Sequence, residues 1–375
     1  MLSWLLVALV AGSFAYCLLA IVAALRYQRR PLPAQRAGEP VSILKPLAGA
    51  EEGLEENLRS FFEQDYPQYE ILFAVRETGD PAASIVERLQ RQYPHVASRL
   101  IVTGEPPYPN AKVFSLDHMM RQARHSLLVM SDSDIRVTPD FLHTVAAEFA
   151  ASDLAVATCP YRAVPGPSLW SSLEAIMMNT EFLSGILVAR MLEGMRFAVG
   201  PTIVARKEAI GKIGGWTEFK DFLAEDFVLG QRAAQAGLNV ELSRCVIEHR
   251  IGAQPFAVNA RHRLRWCRST RRSRPAGYAG QLFTHATPLA LLLGIAAPLW
   301  WPLAAATLAA RAVAGWAVAG RMLHDPLCAR RWWLVPLADI ASFCFWLAGF
   351  FGNTITWRGR RYLLHPDGTF TRVAF

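Results

Sequence analysis

The stretch Ser126-Leu127-Leu128-Val129-Met130, followed at once by Ser131-Asp132-Ser133-Asp134, decides the reading of this chain. A short apolar run that stops abruptly in a polar, acidic turn reads as a buried strand with carboxylates at its carboxyl end. Working outward, residues 41–44, 70–75 and 99–103 are further short β-rich runs. Between them, residues 54–62 place Leu54, Leu58, Phe61 and Phe62 at helical spacing, and residues 83–92 and 112–124 also read as helices. Alternating strands and helices predict an α/β fold with a mostly parallel, Rossmann-like sheet, helices on its flanks and ligands beyond the strand ends.

The ends of the chain have a different character. Residues 2–25 are almost wholly apolar and end in Arg26, Arg29 and Arg30. That length can cross a bilayer, and the basic flank places its carboxyl side in the cytoplasm. There is no charged leader and no small-residue cleavage site, so the segment reads as a retained anchor. Residues 282–319 form a second apolar region, divided by Pro298, Trp300, Trp301 and Pro302 into a helical hairpin. A third covers 332–351 and is followed by Arg358, Arg360 and Arg361. Three full crossings from a cytoplasmic domain would put the tail outside, so one of these segments is expected to be re-entrant or interfacial. The apolar stretch 169–197, with Met177, Met178, Met191 and Met195, reads as core packing rather than a lipid groove.

The 375 residues are 52% hydrophobic yet include 39 basic and 31 acidic side chains. The apolar residues are therefore concentrated, and a net charge of +8 asks for an anionic partner. Arg261, Arg263, Arg265, Arg268, Arg271, Arg272 and Arg274 lie just before an apolar stretch, which favours a membrane surface or a phosphate over nucleic acid. The six cysteines form no close pair, which fits neither a disulfide framework nor a zinc site.

Four constellations could carry chemistry. Asp80, with Glu77 counted beside it, follows the second strand. A carboxylate there can accept from a uracil imide or a ribose hydroxyl, and an Asp before Pro can equally start a helix. Asp132 and Asp134 can face one hard divalent cation, magnesium or manganese, that bridges a diphosphate. Asp226, beside Glu225, can act as a general base or cap the following helix. His262, Arg265 and Trp266 offer donors for a diphosphate and a ring for stacking, or form one side of a basic helix on lipid. Lys112 can reach a phosphate or remain solvated, and Gly200, with Pro201 and Thr202, can let backbone approach the donor sugar or form a plain turn. His118, His125, His143 and His249 show no metal spacing and are given no role.

Taken in order, the segment 41–47, the segment 61–67, Asp80-Pro81, Asp132-Ser133, Glu225-Asp226 and Arg265-Trp266 resemble the ceramide glucosyltransferase family. Its bacterial branch includes hopanoid-biosynthesis glycosyltransferases. The resemblance covers residues 1–275 and, more loosely, the C-terminal apolar segments. It implies a glycosyltransferase A fold, a UDP-sugar donor, a divalent cation and inversion at the anomeric carbon. By position, Asp80 takes the nucleotide, Asp132 and Asp134 the metal, and Asp226 the role of base. Arg265 and Trp266 fall near diphosphate and acceptor. The family carries Gln or Arg where this chain has His262, and a neutral imidazole cannot match an arginine's charge.

The expected organisation is an anchor over 1–27, a linker over 28–40, a cytoplasmic catalytic domain over 41–255, a basic interfacial segment over 256–281, membrane helices over 282–355 and a cytoplasmic tail over 356–375. The expected partners are a UDP-sugar, a membrane lipid acceptor and the bilayer, without nucleic acid, in a bacterial inner membrane. Two acceptors compete: ceramide with UDP-glucose, and bacteriohopanetetrol with UDP-N-acetylglucosamine. A processive synthase would need more membrane helices, and a catalytically silent scaffold would have no use for every acidic position.

Overall fold

The computed structural model describes residues 2–31, 38–150 and 153–373. Residues 32–37 of the expected linker lie outside the described residues. The chain forms two compact units, each assembled from separated stretches. One comprises Pro31–Tyr161, Gly194–Gly252 and Gly368–Phe375; the other comprises Met1–Arg30, Arg162–Glu193 and Ala253–Asp367. The expected continuous span 41–255 is thus interrupted, because residues 162–193 pack with the terminal helices.

The first of these units is built on a seven-stranded sheet in the order β3-β2-β1-β4-β8-β6-β9. Its strands are β1 (Val41–Pro46), β2 (Tyr69–Val75), β3 (Ala97–Val102), β4 (Leu127–Ser131), β6 (Leu154–Thr158), β8 (Thr202–Arg206) and β9 (Asn239–Leu242). β1 runs parallel to β2 and β4, with Val41 opposite Tyr69 and Leu127, and β2 runs parallel to β3. All of β4 is buried, which is why it reads as continuous apolar sequence rather than an alternation. The sheet is mostly parallel, as the alternation predicts, with one strand reversed. β8 runs antiparallel to both β4 and β6, so it begins where β4 ends. That reversal brings Gly200 and Pro201 to the acidic turn. Two strands of a smaller sheet, β5 (Ile135–Arg136) and β10 (Ile247–Ile251), pair antiparallel beyond the same turn.

Helix starts in this unit follow capping chemistry. α2 spans Leu54–Phe62. α3 (Pro81–Gln92) begins earlier than the apolar pattern suggests, because Asp80 caps it and Pro81 takes the first position. α4 (Ala111–Gln122) starts at Asn110, whose side chain accepts from Val113 N–H. α5 spans Phe141–Ala150 and α8 spans Lys207–Lys212. α9 (Glu225–Gln235) has Ala224 at its cap position, so Asp226 lies inside the first turn and is not the cap.

α9 sits against the backbone of 197–198 through Gly230. A Cβ there would lie 2.2 Å from Ala198 N and 2.3 Å from the Phe197 carbonyl carbon. Backbone cannot yield as a flexible side chain does, so Gly230→Ala must shift α9 and the acids it carries. The expected loss is about 3 kcal/mol, read as a lower denaturation midpoint, with activity lost in the surviving folded fraction.

The other unit is largely helical. α1 spans Leu2–Gln28. α6 (Leu169–Met177), a π-turn over Met178–Phe182 and α7 (Leu183–Glu193) join into one helix. α10 (Phe256–Ser273), α11 (Pro275–Gly280), α12 (Ala286–Ala296), α13 (Trp301–Gly315), α14 (Pro326–Arg330) and α15 (Val335–Gly349) follow. Among the described residues, four helices are long and apolar enough to cross a membrane: Ser3–Gln28, Leu169–Glu193, Pro298–Met322 and Trp332–Gly349. A bent pair, Pro275–Thr284 and Ala286–Ala296, turns by 57° and makes up to five. The hairpin break expected at Pro298–Pro302 is present. Leu169–Glu193 is also long and apolar enough to span, and Met178 within it is buried, as core packing expects.

Polar groups inside this unit are matched to one another. Arg311 donates to both oxygens of Asp339, at 2.6 and 3.1 Å, and to Thr180 Oγ1 at 2.9 Å. All three side chains are buried, as intramembrane charge requires. Much of the basic run on α10 is engaged with the end of α15. Arg268 donates to the carbonyls of Phe351 and Thr354, and Arg271 to those of Phe350 and Gly352. Cations suit a helix carboxyl end, so these arginines serve the fold rather than an outside phosphate. The expected tail is also structured: β11 (Thr354–Trp357) and β12 (Arg360–Leu364) form a hairpin, and Phe370 is fully buried. β7 (Tyr161–Pro165) and β13 (Phe370–Arg372) complete the strands. All six cysteines are free.

Candidate active site

The turn after β4 is held from two sides. Asp132 N–H donates to Pro201 O at 3.0 Å, and Thr202 Oγ1 donates to Ser131 Oγ at 3.0 Å. Beneath it lies Lys45, a fully buried lysine in β1. Its ammonium donates to Ser131 Oγ at 3.3 Å and to the Asp132 carbonyl, and it sits 4.0 Å from the centre of the Phe61 ring. Burial pulls this amine down to about 7, against the pull of Asp132 and Asp134.

Asn110 connects α4 to the loop before α9. While its Oδ1 caps α4, its Nδ2 donates to Phe222 O at 2.8 Å and to Glu225 Oε2 at 3.3 Å. That clasp brings the first turns of two helices together. Lys112, on α4, reaches Asp132 Oδ1 at 2.7 Å and Glu225 Oε1 at 3.1 Å. Asp226 adds a third carboxylate within electrostatic reach of the same ammonium. Burial opposes the charge on Lys112, but these three acids outweigh it and hold the amine well above its usual range.

The carboxylates differ in what surrounds them. Burial, with Glu225 and Asp132 nearby, pushes the Asp226 carboxyl up to about 7, although Lys112 opposes the shift. Asp132 is also raised, chiefly by burial and despite Lys112. Asp134 goes the other way. Burial works to raise it, but His249 and Lys45 outweigh that and hold it at about 2. His249 Nε2 lies 2.9 Å from Asp134 Oδ2, and Asp134 Oδ1 is buried with no hydrogen-bond partner. Gly200 faces Asp226, since a Cβ at Gly200 would come within 2.7 Å of Asp226 Oδ2. The close approach suggested by the sequence is therefore made to this chain's own acid.

Lys112, Asp132 and Asp226 thus meet in one cluster, with Asp134 adjoining. Asp80 lies on the neighbouring loop, beyond β2. Gly49 N–H donates to its two oxygens at 3.0 and 3.1 Å, and Ala82 N–H donates to Oδ1 at 2.9 Å. The helix-start reading of Asp80 is the one its hydrogen bonds follow, and the same bonds tie the loop after β1 to α3. Glu77 is exposed in the preceding turn, where its carbonyl accepts from Asp80 N–H at 3.2 Å. His262, Arg265 and Trp266 lie on α10 in the helical unit. There, the His262 and Trp266 rings are 4.5 Å apart, and the Arg265 guanidinium lies 5.8 Å from the Trp357 ring.

Four residues of the cluster went unassigned in the sequence: Lys45, Asn110, Glu225 and His249. Lys45 left one signal, a charge inside an apolar strand. Glu225 left another, its adjacency to Asp226. Nothing local marks His249, whose partner is 115 positions away.

Comparison with known proteins agrees with this architecture. A mannosyltransferase from Pyrobaculum calidifontis, solved with GDP-mannose and Mn2+, superposes with a TM-score of 0.56 at 22% identity, covering 92% of this chain and 99% of its own. The fold is the glycosyltransferase A fold that the motif order implies. Ceramide glucosyltransferase 1 of Caenorhabditis elegans is 29% identical over 205 residues, 54% of this chain and 44% of its own length. Ceramide glucosyltransferase 3 of the same organism is 28% identical over 244 residues, 64% of this chain and 53% of its own. The chain therefore spans about half the length of these relatives. Residues 4–370 match the profile of glycosyl transferase family 21. With nearly its whole length matched, the chain belongs to glycosyl transferase family 21, a family of sugar-transferring enzymes.

Proposed function

We propose that this chain transfers a sugar from a UDP-sugar to a primary lipid hydroxyl with inversion, as a ceramide glucosyltransferase-like enzyme using UDP-glucose. One observation carries the reading: Lys112 bridges Asp132 and Glu225 at the end of β4, beside an Asp226 carboxyl held near neutrality. Asp226 takes the proton of the lipid hydroxyl. The freed oxygen attacks the anomeric carbon from the face opposite UDP, and the bond from that carbon to the diphosphate breaks, leaving a β-linked product. Lys112 supplies positive charge for the departing diphosphate, with Arg265 assigned to the same end. Asp80 and Glu77 are assigned to the nucleotide, His262 to the donor side and Trp266 to the acceptor.

A hard divalent cation, Mg2+ or Mn2+, fits the acidic turn. Asp134 keeps one buried oxygen without a donor, and Asp132 contributes a second carboxylate two residues away. These two residues would hold it, and when bound it supplies Lewis-acid stabilisation of the leaving diphosphate. The bilayer brings the acceptor, and the basic end of α1 at Arg26 supports a cytoplasmic catalytic unit in a bacterial inner membrane.

The test is mass spectrometry of lipids after the purified chain meets UDP-glucose or UDP-N-acetylglucosamine with ceramide or bacteriohopanetetrol. Hexosylceramide from UDP-glucose supports the reading. A product only in the hopanoid arm moves the acceptor, and no product with no UDP release in any arm overturns it. The pH dependence follows from Asp226. A base works ionised, so kcat/KM should fall roughly tenfold per unit below pH about 7 and level off above it. A profile flat from pH 5.5 to 8, as an order-of-magnitude window around that value, would remove Asp226 from this role.

A further inference from the structure

The helical unit holds two adjoining groups of buried polar side chains, and they differ in one respect. The first is closed on itself: Arg311 donates to Asp339 and Thr180, and Asp339 also accepts from Thr287 Oγ1. The second is left open. Glu181, the residue after Thr180, accepts from Thr284 Oγ1 at 2.9 Å through Oε1, while its buried Oε2 has no hydrogen-bond partner among the described residues. His285 is 2% exposed. Its Nδ1 lies 3.4 Å from Glu181 Oε1 without hydrogen-bond geometry, and neither ring nitrogen has a hydrogen-bond partner among the described residues. The Tyr16 hydroxyl on α1 is also buried without one. It lies over Gly185, one turn along the helix from Glu181, where an added Cβ would be 3.9 Å away.

Glu181 and His285 each stand where a helix is irregular. Glu181 lies in the π-turn Met178–Phe182, and His285 lies at the 57° break between Pro275–Thr284 and Ala286–Ala296. Such irregularities recur where a helix is shaped around a ligand or lines a cavity. A carboxylate oxygen, an imidazole and a phenol left unpaired away from water are each costly, so the group asks for a polar molecule to complete it. The chemistry it asks for is specific. Glu181 Oε2 only accepts, so the visitor must donate, whereas a neutral imidazole and a phenol both donate and accept. An anionic head would meet a carboxylate, whose charge repels it. The surroundings are apolar: the Phe343 and Trp346 rings lie 5.4 and 5.3 Å from that of His285. Glu181 keeps 12% of its side chain exposed, so the group touches the surface of a bundle whose helices are apolar enough to cross a membrane. An uncharged, hydrogen-donating head on an apolar tail meets all of these conditions.

We propose that Glu181, His285 and Tyr16 form a binding site, wholly within the helical unit, for an uncharged lipid head that carries hydroxyl and amide hydrogens. Glu181 Oε2 accepts from the head, and Tyr16 and His285 complete its hydrogen bonds. The inference rests on the reading of the acceptor as ceramide, a lipid of this class, and adds the residues by which this unit recognises it.

The experiment is native mass spectrometry of the full-length protein in detergent, titrated with ceramide and, separately, with triacylglycerol, whose head offers acceptors but no donor. The wild type is expected to bind ceramide in preference. Tyr16→Phe should weaken ceramide binding roughly fivefold and Glu181→Leu roughly tenfold, the scales of a neutral and a charge-assisted hydrogen bond, with triacylglycerol unaffected. Tyr16→Phe is the deciding variant, because it removes a hydroxyl with no partner in the fold and should leave the thermal midpoint of the ligand-free protein where it was. A lower midpoint in Tyr16→Phe would give that hydroxyl to the architecture and overturn the inference. So would a wild type that does not prefer ceramide, or either variant binding ceramide like the wild type, the result expected if the group holds only water. UDP binding on the same samples separates the two readings. The variant losses in a protein that binds no UDP would support this site and remove the transfer reaction, whereas UDP binding without ceramide binding would overturn this site and leave the donor chemistry.

Discussion

Asp226→Asn is expected to lower kcat by roughly 10²- to 10⁴-fold while changing UDP affinity little. The substitution is nearly isosteric, which matters because the carboxylate lies over Gly200 with no room to spare. Asn keeps that packing and the first turn of α9, but it cannot accept a proton from a lipid hydroxyl. Single-turnover measurements beside equilibrium UDP binding make the check. Loss of both together would assign Asp226 to the architecture of the site instead. Asp226→Glu is a weaker probe, since the extra methylene must enter the space that Gly200 leaves.

Lys112→Met is expected to have the second-largest effect, and on two readouts. Lys112 is the shared counter-charge of Asp132 and Glu225, at 2.7 and 3.1 Å, and Glu225 is buried. Removing the ammonium leaves acids facing one another without compensation. The expected destabilisation is roughly 2 kcal/mol, less than for a sealed pair because Asp132 keeps a third of its side chain exposed. The second readout is the acid limb of the rate profile. Lys112 is the main group opposing the rise of Asp226, ahead of the Phe227 N–H, so without it the base holds its proton more tightly and the limb moves to higher pH. A limb that stays put while stability falls would separate Lys112 from the chemistry.

The parts of the site legible in the sequence were those written locally. β4 could be read because an apolar run stops in Ser131-Asp132-Ser133-Asp134, and Asp226 because a second acid stands beside it. The partners of these acids could not be read. Lys45 meets the Asp132 carbonyl across 87 positions, and Asn110 meets Glu225 across 115, contacts that only strand order and helix packing create. The antiparallel course of β8 was equally hidden, since a strand's direction leaves no trace in its own residues. That Leu169–Glu193 is long enough to span was hidden for another reason. Ser171, Ser172, Glu174, Asn179 and Thr180 dilute its apolar character, yet all five are buried against partners in the folded unit. Polar groups satisfied inside a bundle look, in sequence, like groups that need water.

The interleaving of the two units has a consequence for how the protein comes off the ribosome. The strands β1, β2, β3, β4 and β6 emerge first. The apolar segment Leu169–Glu193 follows, and only then do β8 and β9 appear, although β8 belongs between β4 and β6. The nascent sheet must therefore wait, with an inner strand missing, while a greasy helix is sorted away from it. Neither half of the molecule can finish folding before the other has been synthesised almost to its end.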